Sequence, residues 1–252
     1  MDTSIHTHEI SAITGGANGI GRATALALAN LGNDIIVFDL PEQEKQGKTL
    51  MDEIQSCGVS CAYVAMDVHD SRSIHSAIQR GIDAIGIPTA WINSAGIVNR
   101  RPALEISDDD WYRVIDINLT GTFFCCREYA KVLIDSHQAG SIVNITSVFG
   151  LVGGPNRVAY SASKAGIVNI TRVLAYEWFS YNIRVNAVAP TFVQTPLTEK
   201  LISGGLDVLN RSFGQSLATA QDVAYAIQFL ISSHAQSITG HTLPVDIGWT
   251  TW

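Results

Sequence analysis

The chain has 252 residues, 46% of them apolar and 15% charged, which is enough to bury a large core in one domain or two small ones. A net charge of −7 without basic runs argues against nucleic acid as the main partner, and polar residues break every apolar stretch before membrane-spanning length. Residues 1–9 have neither the basic nor the apolar region of a secretory signal, so a cytoplasmic location is expected.

Along the chain, strand-like and helix-like segments alternate. Glu9–Thr14 is rich in β-formers and enters the glycine-rich turn Gly15–Gly21, followed by the strong helix formers of residues 22–31. Strands are expected at 33–39, 59–66, 89–93, 141–146, 183–189 and 242–245. Helices are expected at 41–56, 71–85, 107–117, 119–136, 158–181 and 221–231, the third starting from a Ser107 cap with acidic residues behind it. Residues 191–216 are weakly patterned and read as a substrate lid, and residues 1–8 as a flexible tail. This alternation predicts an α/β fold: one domain over 1–252, a doubly wound (Rossmann) parallel sheet of seven strands with helices on both faces.

The cysteines, Cys57, Cys61, Cys125 and Cys126, fit neither zinc nor C-x-x-C spacing and read as buried free thiols of a reducing compartment. The seven histidines show no ligand spacing, so no metal is expected. The aromatic C-terminus, with Trp249 and Trp252, is expected in a subunit interface.

Two stretches carry chemistry. Gly15, Gly19 and Gly21 lie where a strand hands over to a helix, the place where backbone can approach a pyrophosphate and helix amides can face it. Asp39 ends the second strand, 18 residues past Gly21. A carboxylate there accepts from both hydroxyls of an adenosine ribose and repels a 2′-phosphate. No Arg or Lys occupies residues 16–20 or 40, so NAD is favoured over NADP. The second stretch, 144–164, brings Ser147, Tyr160 and Lys164 together across a glycine-rich turn. Tyr160 and Lys164, four apart on a helix, share one face. An ammonium about 4 Å from the phenol is worth roughly 4 kcal/mol at an effective dielectric of about 20, which would lower the phenol by roughly two to three pH units.

The combination T-G-G-A-N-G-I-G (14–21), N-S-A-G (93–96) and Y-S-A-S-K (160–164) resembles the short-chain dehydrogenase/reductase family, with a match running from Ile10 to Trp249. The resemblance implies that Gly15, Asn18, Gly19, Ile20 and Gly21 face cofactor phosphates and ribose. It implies that Asp67 and Val68 edge the adenine, and that Asn93, Ala95 and Gly96 line the strand end beneath. Lys164 would also bind the nicotinamide ribose, and Pro190, Val193 and Thr195 would hold the carboxamide end. Tyr160 would be the general acid/base, Lys164 its pKa modifier, Ser147 the hydrogen-bond donor to the substrate oxygen, and Asn118 the holder of a relay water. Homotetramers are common in the family, so a homo-oligomer, tetramer or dimer, is expected.

The sequence departs from the family pattern at Ser94, at Thr191 (usually Gly), at Ile247 (usually Gly) and in the lid segment 212–219. The substrate pocket is expected to be framed by Ser147, Phe149, Gly153, Gly154, Asn156, Tyr160 and Thr191, a mixture that suits a compact hydroxylated alcohol or ketone. Arg100 and Arg101 either steer an anionic sugar acid or are solvated loop charges. A sugar or polyol dehydrogenase is therefore the expected function. The rivals are a 3-oxoacyl-carrier-protein reductase and, in another class, a non-catalytic NAD-binding sensor.

Overall fold

The computed structural model describes residues 9–193 and 217–251. Seven strands form one parallel sheet: β1 (Ile10–Thr14), β2 (Asp34–Asp39), β3 (Cys61–Ala65), β4 (Ala90–Asn93), β5 (Gly140–Ile145), β6 (Ile183–Pro190) and β7 (Thr242–Val245), in the spatial order β3-β2-β1-β4-β5-β6-β7. Among the described residues, seven α-helices cover it: α1 (Gly19–Ala29), α2 (Glu44–Gln55), α3 (Ser71–Ile85), α4 (Asp108–Ile115), α5 (Gly121–Asp135), α6 (Val158–Glu177) and α7 (Ala220–Ile231).

The strands are apolar on both faces because each face has its own core. Side chains alternate across a strand. In β2, Ile36 and Phe38 enter one core with Trp91 and Tyr129, while Ile35 and Val37 enter the other with Leu28 and Leu50. Trp91 and Ile92 of β4 divide in the same way. In the first core Trp91 stacks between Phe38 and Tyr129, with centroids 5.2 and 5.1 Å away.

The strand order reverses direction between β1 and β4. Loops leaving their carboxyl ends therefore splay apart and open a crevice, the place where open α/β sheets bind ligands.

Several boundaries differ from expectation. The helices expected at 107–117 and 119–136 form a continuous path through a π-helical turn at Asp116–Thr120. The helix expected to run to Tyr181 stops at Glu177, and Phe179–Tyr181 tightens into a 3-10 turn ending at Asn182 with φ 58°. Helix α7 begins from a capping box in which Thr219 and Asp222 satisfy each other's amides. Cys125 and Cys126 are buried, whereas Cys57 and Cys61 are only half-buried; all four are free. Trp249 does not await a partner subunit: it is buried within the chain against Phe149 and Phe192. Trp252, Thr195 and most of the expected lid lie outside the described residues.

Candidate active site

A cleft of about 470 Å³ lies over the switch point between β1 and β4, within the size range of small-ligand sites. Its floor is the glycine-rich turn. Gly15 has φ +62°, and a β-carbon there would sit 2.7 Å from the Ala95 backbone, so the turn passes against the β4 loop with no room for a side chain. Gly21 carries the same demand one level down: a β-carbon would fall 2.3 Å from the Gly15 carbonyl. Gly21 is buried beneath the turn and does not line the cleft, whereas Gly15, Asn18, Gly19 and Ile20 do. The turn is fastened from both sides. Asp39 Oδ2 accepts from the Ala17 amide at 2.9 Å, and Thr14 Oγ1 accepts from the amides of Ser94 and Ala95 at 3.1 and 3.2 Å.

At one end of the cleft stand Asp39, Leu40, Gln43, Asp67 and Val68. Burial raises the Asp39 carboxyl above its ordinary pKa, against the opposing pull of the Ala17 and Leu40 amides. Those two bonds use half of the roughly four acceptor sites of a carboxylate, leaving the others for hydroxyl donors. Asp67 Oδ1 accepts from the His69 amide at 2.9 Å and so stabilises the next turn as well as edging the cleft. Arg22, on the nearby α1, is tied to Glu53 at 2.5–2.6 Å.

At the other end stand Ser147, Tyr160, Lys164, Pro190, Thr191 and Val193. Strand β5 delivers Ser147 just past its end, where the serine caps a short 3-10 turn by accepting from the Phe149 amide at 3.2 Å. Helix α6 carries Tyr160 and Lys164 toward the same point. Lys164 is buried, and its Nζ donates to the Ile145 carbonyl at 2.7 Å. Nζ lies 5.8 Å from the Tyr160 ring centroid.

The expected depression of the phenol is not what the structure gives. Burial raises the Tyr160 pKa; a hydrogen bond with Ser147 pulls it down, and the charges of Arg157 and Arg100 do so too. Burial also brings the Lys164 ammonium down to about 8.

Asn118 sits in the π turn, fully buried. Its Oδ1 accepts from the Ile97 amide at 2.8 Å, while Nδ2 donates to the Ile97 carbonyl at 2.9 Å and to Ser163 Oγ at 3.1 Å. Ser163 in turn donates to the Tyr160 carbonyl at 2.7 Å. A side-chain fork thus joins the β4 loop to helix α6. Single π turns are frequent at functional sites, and this one aims an asparagine that a regular helix would point elsewhere.

Some expected residues are not in the cleft. Asn93 is buried under it, accepting from Trp91 Nε1 at 2.8 Å and donating to Asn144 Oδ1 at 2.8 Å, so its side chain braces β4 against β5. Ala95 and Gly96 do line the cleft. Phe149 turns away into the cluster with Phe192 and Trp249. Gly154 packs on Phe149, where a β-carbon would meet the ring at 2.5 Å, and Gly153 lies in open space. Asn156 takes φ 60°, and its carbonyl accepts from the Arg101 amide at 3.1 Å. Asn156 and Gly154 thus shape the loop, while Ser147, Tyr160 and Thr191 reach the cavity.

Sequence reasoning passed over Arg113 and Gln43, which also line the cleft, and Arg157, which stacks on Phe149. The first two carry no motif; Arg157 lay unremarked between two glycines and the tyrosine. Arg100 and Arg101 diverge: Arg101 is exposed and faces Asp110 at 3.9 Å, whereas Arg100 is half-buried over Phe192 at 5.7 Å.

Residues 15–250 match the family model described as enoyl-(acyl carrier protein) reductase. Among curated relatives, the chain is 35% identical over 245 residues to a 3-oxoacyl-[acyl-carrier-protein] reductase of Synechocystis sp., covering 96% of this chain and 97% of the relative. It is 31% identical over 244 residues to the 2-dehydro-3-deoxy-D-gluconate 5-dehydrogenase of Escherichia coli K12, covering 96% and 95%. The crystal structure of gox2181 superposes with a TM-score of 0.93 at 32% identity, covering 97% of this chain and 96% of that one. With its crevice at the β1/β4 reversal and these full-length similarities, the chain belongs to the short-chain dehydrogenase/reductase family of oxidoreductases.

Proposed function

We propose that the protein is an NAD(H)-dependent oxidoreductase that interconverts a secondary alcohol and a ketone on a small hydroxylated substrate, with Tyr160 as the acid/base. The family works with a nicotinamide cofactor, NAD or NADP. The residues present fit such a group: a left-handed glycine turn whose backbone floors the cleft without side chains, an open α1 N-terminus, and a carboxylate with spare acceptor sites 22 positions beyond the amide it holds. Gly15, Asn18, Gly19, Ile20, Asp39, Asp67, Val68, Ala95 and Gly96 would hold its adenosine and phosphates. Pro190, Val193 and Lys164 lie toward the opposite end.

The observation that carries the reading is the convergence of Ser147, Tyr160 and Lys164 on one end of a dinucleotide-sized cleft. When bound, the cofactor accepts or supplies a hydride. The protein's part is proton transfer and polarisation of one oxygen. Ser147 shares a hydrogen bond with Tyr160, so an alcohol oxygen placed between them loses its proton to the phenolate and regains it in the reverse direction. Burial raises that phenol's pKa, which favours donation to a ketone. The nearby cations Arg157 and Arg100 offset part of that burial. Lys164 and the Asn118 fork hold the helix turn in place; both Nδ2 hydrogens of Asn118 are taken by Ile97 and Ser163, so a relay water held by this side chain would have to use the remaining lone pair of Oδ1.

Preference for NAD is supported by Asp39 and by Arg22, whose charge is taken up by Glu53. A ribose 2′-phosphate would meet a carboxylate without a free partner cation from Arg22. Thr191, one of the family-pattern departures, has a buried hydroxyl with no partner among the described residues, which favours a polar substrate that can reach it. The 3-oxoacyl-carrier-protein reductase reading draws on the Synechocystis relative and the sugar-acid reading on the Escherichia coli one. Turnover of polyols, sugar acids, secondary alcohols and a 3-oxoacyl thioester, followed by NADH and NADPH absorbance, distinguishes them. Faster turnover with NADP than with NAD would overturn the cofactor assignment, and turnover of the acyl thioester alone would overturn the substrate assignment.

A further inference from the structure

The loop preceding α6 contains an arrangement that neither proton transfer nor cofactor binding uses. Arg157 is 7% exposed, and its guanidinium lies over the Phe149 ring at 3.8 Å from the centroid. Both Arg157 and Arg100 lie 5.7 Å from the centroid of Phe192, the residue after Thr191. Phe149, Phe192 and Trp249 pack edge-to-face beneath them, so both cations rest on a fixed aromatic base.

A backbone bridge between Arg101 and Arg157 ties the two loops together, the Arg101 amide donating to the Asn156 carbonyl. Among the described residues neither guanidinium faces a carboxylate within ion-pair distance. The Arg157 Nε donates to the Pro155 carbonyl at 3.0 Å, its other donors make no protein bond there, and Arg100 Nε is buried without an acceptor. Two unneutralised cations held side by side over apolar rings are costly unless an anion joins them. Packing sets them beside the cleft: Tyr160 packs against the Phe149–Phe192–Trp249 cluster on which both cations rest, and Phe192 follows Thr191, which lines the cavity.

Resting on the oxidoreductase reading above, we infer that the substrate bears a carboxylate, and that Arg157 and Arg100 bind it and so set which end of the molecule faces Tyr160. With its guanidinium 3.8 Å over the Phe149 centroid and only Nε bonded among the described residues, Arg157 keeps its terminal donors for an anion, and they match the planar fork of a carboxylate. Stacking also fixes the side chain before the ligand arrives, which lowers the ordering cost of binding. Burial, and then the charge of Arg100, bring the Arg157 guanidinium down to about 10, so a bound anion would reverse a destabilising proximity. The inference separates the two classes of relative. A free hydroxy or oxo acid presents a carboxylate to this pair, and an acyl thioester does not.

The test is equilibrium binding to the NAD-loaded protein, followed by tryptophan fluorescence because Trp249 belongs to the cluster. The probes are gluconate, glycerate and 3-hydroxybutyrate, each beside its own amide, with inorganic phosphate as competitor. At least one acid is expected to bind about 30-fold more tightly than its amide, as two charge-assisted contacts provide. The ratio should fall below about threefold in Arg157→Met and in Arg100→Met, with NAD affinity retained, and Arg157→Lys should recover only part of it because the planar fork is lost. Amides that bind as well as acids overturn the inference. So does an equal loss of acid and amide binding in the variants, which would mark the arginines as struts or as partners of an ion pair within the chain. Phosphate displacing every acid at equal concentration overturns the carboxylate assignment. Because binding is read without turnover, an acid preference in a protein that oxidises nothing would refute the oxidoreductase reading and leave the anion site standing.

Discussion

Asn118→Ala should be among the most destabilising single changes near the cleft. The side chain makes three hydrogen bonds at 2.8, 2.9 and 3.1 Å, and two of them satisfy both the amide and the carbonyl of Ile97. Each bond is worth about 1 kcal/mol net, and stranding buried backbone groups adds about 1–3 kcal/mol, so a loss of about 4–6 kcal/mol is expected. For a chain of this size that corresponds to a fall in Tm of roughly 8–24 °C. Ser163→Ala removes the contact to Asn118 and the bond to the Tyr160 carbonyl but strands no Ile97 group, so it should cost only about 1–2 kcal/mol. Thermal and urea unfolding of both variants at one protein concentration, pH 7, measures the difference. The consequence for function follows from place: Gly96, which lines the cleft, packs on this side chain, a β-carbon there meeting Asn118 Oδ1 at 3.1 Å, so the loop beside the cleft loosens with the fork. Equal stability losses in the two variants, both below about 1 kcal/mol, would refute the reasoning, because Asn118 would then not be what fastens the β4 loop.

Two further outcomes are expected. Gly21→Ala places a methyl 2.3 Å from the Gly15 carbonyl and 2.9 Å from Gly16 Cα, both backbone atoms, so the turn must shift; NAD affinity measured by fluorescence titration should fall at least about tenfold, or about 1.4 kcal/mol. Lys164→Met should stabilise the apo protein at pH 7 while abolishing turnover. Burial holds the ammonium at about 8 against an ordinary 10.5, so the unfolded chain binds more protons between those values and wild-type stability rises with pH across that window. The cost is complete below pH 8, about 3 kcal/mol less whatever the Ile145 bond returns, and the advantage of the methionine should shrink as pH climbs from 8 to 10.5. A stability difference that does not vary with pH would mean that Lys164 is not held as a buried cation.

The sheet was legible because each strand obeys two apolar patterns at once, one per face, and because helix formers fill the intervals. The crevice could be placed from the glycines and Asp39, whose spacing requires a βαβ unit. Residues whose geometry depends on distant packing were not legible. The π turn at Asp116–Thr120 has no composition of its own; it exists because Asn118 bonds to Ile97, 21 residues earlier. Helical spacing put Tyr160 and Lys164 on one face, yet the Ile145 carbonyl, 19 residues before the lysine, decides where Nζ goes. Arg157 becomes noticeable only when Phe149 and Phe192 fold beneath it. Ile247 shows the reverse case. The departure from a family glycine was visible in sequence, and the structure gives its consequence: φ 50°, a left-handed conformation that burdens a β-branched side chain by about 1–2 kcal/mol.

The central claim is that Tyr160 transfers the proton in a hydride-transfer reaction at this cleft. It is tested most directly by comparing wild type with Tyr160→Phe on one accepted alcohol, reading NADH absorbance for turnover and fluorescence titration for NAD binding. Turnover should fall by at least about 100-fold, the lower bound for losing a positioned acid/base, while NAD affinity stays within about twofold. A phenylalanine variant that keeps wild-type turnover would contradict the account.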